Sequence, residues 1–204
     1  MTTHVRKRPA RERLLAAADE LMFVDGVVLT PVDVILRRAR ASAATLYSNF
    51  GNKDGLIAAA LERRLADWTQ AWDAAIAAAD SPTGRLFAIF PALRSYQRER
   101  LEERWCAFSG TAAAMDRPPE AVAEMLEAED ELLHARLRAF AEEVAGEERA
   151  QDLADQVAVA YLGTLTGMLR GDQETAIARG ELVARTLVAS VVGEESPDLL
   201  GSEE

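Results

Sequence analysis

The chain has little of what catalytic chemistry usually draws on. Its 204 residues include one cysteine, Cys106, and two histidines, His4 and His134. A single cysteine forms no intrachain disulfide, which fits a reducing compartment. No His/Cys grouping has metal-ligand spacing, and neither a phosphate-cradling glycine loop nor a nucleophile elbow is present. The expectation is therefore no enzyme, no metal and no cofactor. No apolar run approaches the roughly 20 residues of a bilayer span. The stretch after Arg6, Lys7 and Arg8 is amphipathic and carries Asp19 and Glu20, unlike a signal peptide. A cytoplasmic protein with no membrane partner is expected. Strand-like sequence is scarce too: the best run, Val27-Val28-Leu29, is too short to matter.

What is present is a soluble globular composition, 49% hydrophobic and 28% charged. The net charge of −11 looks opposed to a nucleic-acid partner, but it is unevenly spread. Residues 1–65 carry eleven Lys and Arg against seven Asp and Glu, a balance of +4, and the remainder carries −15. A basic head on an acidic body is the asymmetry expected when only one end faces phosphate.

Alanine, leucine, arginine and glutamate dominate, and all are good helix formers. A first helix is predicted over Ala10–Val24, with Leu14, Leu15, Ala18, Leu21 and Met22 as its apolar stripe and Gly26 as its end. Thr30-Pro31-Val32-Asp33 reads as a helix start, with Thr30 as cap, ending near Arg38. Ser42 caps a short third helix through Ser48, and Asn52 caps a long fourth one to about Ala79, striped by Leu61, Leu65, Trp68, Trp72 and Ile76. Ser81-Pro82 opens a fifth, bent or broken near Pro91, and a sixth spans about Leu101–Met115. Pro118-Pro119 opens a seventh to Val144, with Leu126, Leu133, Leu137 and Phe140 inward, before Gly146. Arg149–Arg170 and Glu174–Val192 complete an all-α chain of about nine helices, followed by an acidic tail.

Residues 30–50 carry the chemistry: two short helices around a tight break, the helix-turn-helix pattern. In that motif the N-terminal residues of the second helix meet base edges in the major groove. Here they are small: Ser42, Ala43, Ala44 and Thr45. Small side chains let the backbone approach, Ser and Thr bond phosphate or base edges, and alanine suits a thymine methyl. Tyr47 and Ser48 offer hydroxyls, and Lys53 offers a charge for the DNA backbone. Arg6, Lys7, Arg8 and Arg11 form either an arm toward DNA or a solvated basic tail. Arg37 and Arg38 are either solvated or phosphate-bound. Leu46 and Phe50 suit the core of the small domain.

The stretch Thr45-Leu46-Tyr47-Ser48-Asn49-Phe50-Gly51-Asn52-Lys53-Asp54-Gly55-Leu56 resembles the signature of the TetR/AcrR family of regulators. Arg13 to Gly26 resembles that family's first helix, and Leu29-Thr30 the start of its second. The resemblance implies an N-terminal three-helix DNA-binding domain over 1–52, with a basic arm at 1–9. A long fourth helix would join it to a helical effector-binding and dimerisation domain over 53–193, and 194–204 would form a flexible tail. DNA contacts fall on Thr30, Arg40, Ser42, Ala43, Ala44, Thr45, Tyr47, Ser48 and Lys53. One departure matters: the family commonly has Ala-Gly-Val-Ser in the turn, and this chain has Ala39-Arg40-Ala41-Ser42. If that position needs positive φ, arginine there is strained by about 1 kcal/mol, and it also adds a cation beside the groove.

Family helices four to eight surround an effector pocket. On them lie Trp68, Trp72, Phe87, Phe90, Tyr96, Trp105, Phe108, Met115, Met125, Phe140 and Tyr161. Each alone suits plain core; as a group they suggest a mainly apolar cavity for a hydrophobic small-molecule effector. His134 is either a ligand hydrogen-bond partner or an ordinary exposed histidine, and Glu127 to Glu131 either a solvated face or an acidic pocket wall. The row Ala160, Gly163, Gly167 and Gly171, with Leu187, Val188, Val191 and Val192, suits a four-helix homodimer interface; intrachain packing is the alternative. The expected function is a homodimeric repressor on a palindromic operator of double-stranded DNA, released by its effector. The competing reading is a helical ligand carrier with a degenerate DNA-binding head.

Overall fold

The computed structural model describes residues 9–24, 29–99 and 106–193, and all regular structure among them is helical. In chain order the helices are α1 Ala10–Asp19, α2 Val32–Ala39, α3 Ala43–Phe50, α4 Lys53–Ala77 and α5 Pro82–Phe87, then α6 Ile89–Glu99, α7 Ala107–Ala114, α8 Glu120–Ala145, α9 Glu147–Met168 and α10 Gln173–Gly193. Among the described residues the count is ten where nine were expected. The fifth predicted helix is two, and the break falls at Ala88, ahead of Pro91. Pro91 instead occupies the first turn of α6, where its missing N–H removes no intrahelical bond. Residues 25–28, 101–105 and 194–204, with Gly26, the start of the predicted sixth helix and the acidic tail, lie outside the described residues. Among the described residues no helix is long and apolar enough to cross a membrane.

Helix ends follow local chemistry. Ser42 Oγ accepts the Thr45 N–H at 3.2 Å, Asn52 Oδ1 the Gly55 N–H at 2.8 Å, and Ser81 Oγ the Gly84 N–H at 3.0 Å. Each bond satisfies an amide the helix itself leaves open. Thr30 is a correction: the cap of α2 is Pro31, whose carbonyl takes the amides of Val34 and Ile35, and Thr30 precedes it at 4% exposure. α1 runs on into a π-helical turn, Glu20–Val24. Five-residue spacing brings Phe23 onto the line of Ala18, so adjacent Met22 and Phe23 are both buried.

The chain forms two compact units, residues 1–67 with 101–129 and residues 68–100 with 130–204. The expected division at 52/53 follows the motif; the packing division lies within α4 and again within α8. The first unit's core takes Leu14, Leu15 and Ala18 from α1, Met22 from the π-helical turn, Ile35 from α2, Leu46 from α3, and Leu56, Ile57 and Leu61 from α4. In that unit Arg64 is buried, with its Nε 2.8 Å from Asp19 Oδ1 and its guanidinium 4.5 Å from the Phe23 ring centre. The second unit's core gathers Trp68, Trp72, Phe87, Phe90, Leu137, Val157 and Tyr161.

Candidate nucleic-acid interface

The turn between α2 and α3 is fixed by its hydrogen bonds. The Ala41 N–H donates to the Leu36 carbonyl at 3.1 Å and the Arg40 N–H to the Arg37 carbonyl at 3.2 Å. This is a Schellman ending, which needs a left-handed residue at its centre. That residue is Arg40, at φ 49° and ψ 51°, the only non-glycine with positive φ among the described residues. The position at which the family commonly carries glycine is therefore left-handed here, with an arginine in it.

Beyond the turn, Ser42 starts α3 and also lies 2.9 Å, Oγ to Oγ1, from Thr45. α3 extends to Phe50, two residues past the expected Ser48. Leu46 is buried and Phe50 packs against the first core, as their apolar character required. The opposite face is open: Ser42, Ala43, Ala44, Tyr47, Ser48 and Asn49 are exposed and Thr45 is half-exposed. Tyr47 is 59% exposed. Ser48 Oγ and Asn49 Nδ2 both donate to the Thr45 carbonyl, at 3.0 and 2.8 Å, which orders the C-terminal half of that face. Lys53, half-buried, begins α4 next to it. Thr30, being buried, does not share the open face.

The surrounding arginines differ. Arg37 pairs with Asp33 and Arg38 with Glu20. The Arg37 guanidinium holds the Asp33 carboxyl below its ordinary range. Arg11 lies 5.4 Å above the Phe50 ring centre, on α1 rather than in an extended arm. Arg40 is exposed at the turn. Arg6, Lys7 and Arg8 lie outside the described residues.

Two residues that shape this head carry no role in the sequence reading. Arg13 of α1 donates from Nε to the Ala39 carbonyl at 3.0 Å and from its terminal nitrogen to the Arg40 carbonyl at 3.2 Å. Gly55 in the first turn of α4 permits close approach of α3: a Cβ there would lie 2.1 Å from the Phe50 carbonyl oxygen. Gly55 sits within the quoted signature, but only the packing gives its reason. Arg13 has no local sequence signal, since its acceptors are 26 and 27 residues away.

The aromatic set expected around an effector is divided. Trp68 stacks on Tyr161 with ring centres 6.0 Å apart, meets Tyr96 edge-on at 5.7 Å, and lies 5.8 Å from Trp72. Phe87, Phe90 and Phe140 belong to this second-unit core. Phe108, Met115 and Met125 belong to the first-unit core instead. Trp105 lies outside the described residues. His134 is half-exposed on α8, with Nδ1 2.9 Å from the Asp130 carbonyl oxygen.

On the second unit, α9 and α10 border an open groove of about 730 Å³, edged by Val159, Ala160, Gly163, Gly167, Val183 and Leu187. Val159 and Val183 are 69% and 52% exposed. Gly163 and Gly171 face open space, so close packing within the chain is not what they serve. That close packing occurs at Gly180, where a Cβ would lie 1.7 Å from Thr164 Oγ1. Val188 is buried and Val191 half-buried against the second core, whereas Val192 is exposed.

Comparison with known proteins bears on the same region. The family model for bacterial regulatory proteins of the tetR family matches residues 14–60. YvkB of Bacillus subtilis (strain 168), an uncharacterized HTH-type transcriptional regulator, is 39% identical over 56 residues, a match that takes in 28% of this chain and only 30% of the relative. A TetR-family transcriptional regulator from Streptomyces coelicolor shares the fold with a TM-score of 0.81 at 21% identity, over 90% of this chain and 96% of that one. A candidate TetR regulator from Streptomyces avermitilis gives a TM-score of 0.75 at 26% identity, over 90% and 98% of the two chains. The helix-turn-helix region is thus similar in sequence to bacterial regulatory proteins of the tetR family, and the fold is similar to that of TetR-family regulators along nearly the whole chain.

Proposed function

We propose that this protein is a ligand-responsive transcriptional repressor that works in the cytoplasm as a homodimer on a palindromic DNA operator. The observation that carries the reading is the open face of α3. Ser42, Ala43, Ala44 and Tyr47 are exposed on a helix whose other side is locked into the core by Leu46. A rigid helix with small residues at its N-terminal end and hydroxyls along it fits the major groove. In this reading Ala43 and Ala44 meet base edges, while Thr45, Tyr47, Ser48, Lys53 and Arg40 position the protein on phosphates.

Two heads are needed to read two half-sites, with centres about 34–36 Å or more apart. The exposed apolar edge of α9 and α10, with Gly163 and Gly167 in it, is the surface a second copy would cover. The Trp68, Trp72, Phe87, Phe90 and Tyr161 group supplies an apolar, aromatic lining for an effector. Binding shifts the DNA-competent population only if the effector has different affinities for the two states. α4 contributes residues to both units and is the element through which such a shift would pass.

The test is selection of duplexes from a random-sequence library by the purified protein near physiological salt, followed by footprinting. The expected result is an enriched palindrome, a footprint over both half-sites, binding that weakens steeply with added salt, and loss of the footprint in Tyr47→Ala. Enrichment of no sequence would overturn the regulator reading in favour of a ligand carrier with an inactive head.

A further inference from the structure

An arginine in a left-handed turn is strained in a way glycine is not, and something must hold it there. The Schellman bonds of the turn form with any residue that adopts the angles, so they do not explain why this chain tolerates arginine. The additional contact comes from α1. Arg13 places one guanidinium across two successive carbonyls, Ala39 at 3.0 Å and Arg40 at 3.2 Å. These lie at the C-terminal end of α2, where carbonyls lack intrahelical donors and the helix dipole is negative. A cation there makes charge-assisted bonds, stronger than neutral ones. The planar fork of arginine spans two acceptors in a way a lysine ammonium does not. The two carbonyls belong to the peptides on either side of the left-handed Arg40 Cα, so the clamp acts on the φ and ψ that set where α3 begins, two residues on at Ser42.

We propose that Arg13 is a positioning residue for the recognition helix: it holds the Arg40 turn in its left-handed form and so fixes the entry of α3 to DNA, without contacting DNA itself. The inference rests on the DNA-binding reading for its consequence, but the clamp has its own signature, a dependence of Arg13 on the identity of residue 40. With glycine at 40 the turn adopts these angles unaided, and Arg13 becomes nearly dispensable to it.

The experiment is a double-mutant cycle on the full chain with R13M, R40G and R13M/R40G, with R13K alongside. One readout is affinity for a labelled duplex selected from a random library by the unmodified protein. The other is hydrogen exchange of the Ala41 amide, which reports opening of the turn with no DNA present. R13M is expected to weaken duplex binding roughly tenfold and to speed Ala41 exchange by a similar factor. In the R40G background the same substitution is expected to change either by less than about threefold. R13K should recover only part, for want of the fork. Amides of Leu56 and Ile57 in α4 should exchange unchanged, separating a local opening from general loss of stability. An equal effect of R13M in both backgrounds, by both readouts, would overturn the clamp while leaving DNA binding intact. Absence of any selected duplex for the unmodified protein would overturn the DNA-binding reading and the positioning role with it; the exchange cycle would still decide whether Arg13 holds the turn.

Discussion

Individual side chains in the N-terminal unit carry opposing terms whose balance is measurable. Arg40 sits at φ 49°, and replacing it removes a left-handed side chain at the expense of a surface cation. Arg40→Gly is expected to raise stability by about 1 kcal/mol, read as a higher denaturant midpoint at unchanged slope. Its DNA affinity should move the other way if Arg40 meets a phosphate, because the two effects lie on different groups. Asp19 offers a pH test. Burial pushes its carboxyl up, but the hydrogen bond and charge of Arg64, with Arg63 adding to them, outweigh this and hold it below its ordinary 3.8. A carboxyl lowered on folding stabilises the protein above the unfolded value, and that stability is lost as pH falls through the folded one. Between about pH 5 and pH 3 the parent should therefore lose stability more steeply than Asp19→Asn. Equal slopes in urea titrations would mean the pair does not bias folding. Cys106 is poised against reactivity: burial, and then the charge of Glu129, push its thiol up.

At the scale of elements, the junction of α3 and α4 is the most constrained piece of the head. Gly51 turns the chain at φ 74°, Asn52 caps α4, and Gly55 leaves room for the Phe50 carbonyl. Because the crowding atom at Gly55 belongs to the backbone, it moves only if α3 moves. Gly55→Ala is thus expected to cost about 2 kcal/mol or more, despite alanine's better helix propensity, and to displace the recognition helix. A stability within experimental error of the parent would show that the junction yields easily. In the second unit Gly180 plays the corresponding part, bringing α10 against Thr164 of α9.

For the whole molecule, the question is what covers the outer edge of α9 and α10. Val159, Leu162, Leu182 and Val183 are all more than two-fifths exposed, an apolar surface that a solitary chain leaves wet. If a second copy covers it, a charge placed there faces its own symmetry mate and is desolvated twice. Val183→Glu should then shift sedimentation from dimer to monomer and weaken binding to a palindrome far more than to a single half-site. Its helical circular dichroism should be unchanged, since Val183 lies outside the intrachain core. A dimer that persists in Val183→Glu would move the interface elsewhere.

The sequence by itself determined the elements whose causes are local. Ser42, Asn52 and Ser81 start helices because each reaches an amide three residues on, and Gly146 closes α8 because it takes φ 76° freely. The open face of α3 was legible for the same reason: Leu46 points inward, and Tyr47 and Ser48 follow on the other side by helical geometry. The possibility that residue 40 is left-handed could also be posed from the sequence. Only the tertiary structure decided the rest. It separated Phe108, Met115 and Met125 from the Trp68 group, because the same apolar periodicity suits either core and only packing selects which one is filled. It placed the close approach of α9 and α10 at Gly180, a glycine to which the sequence reading gave no role, because a glycine's role depends on what stands opposite it. It also brought Arg13 to the carbonyls of Ala39 and Arg40, a contact between elements 26 and 27 residues apart that no local pattern encodes, since it exists only once α1 has packed against α2.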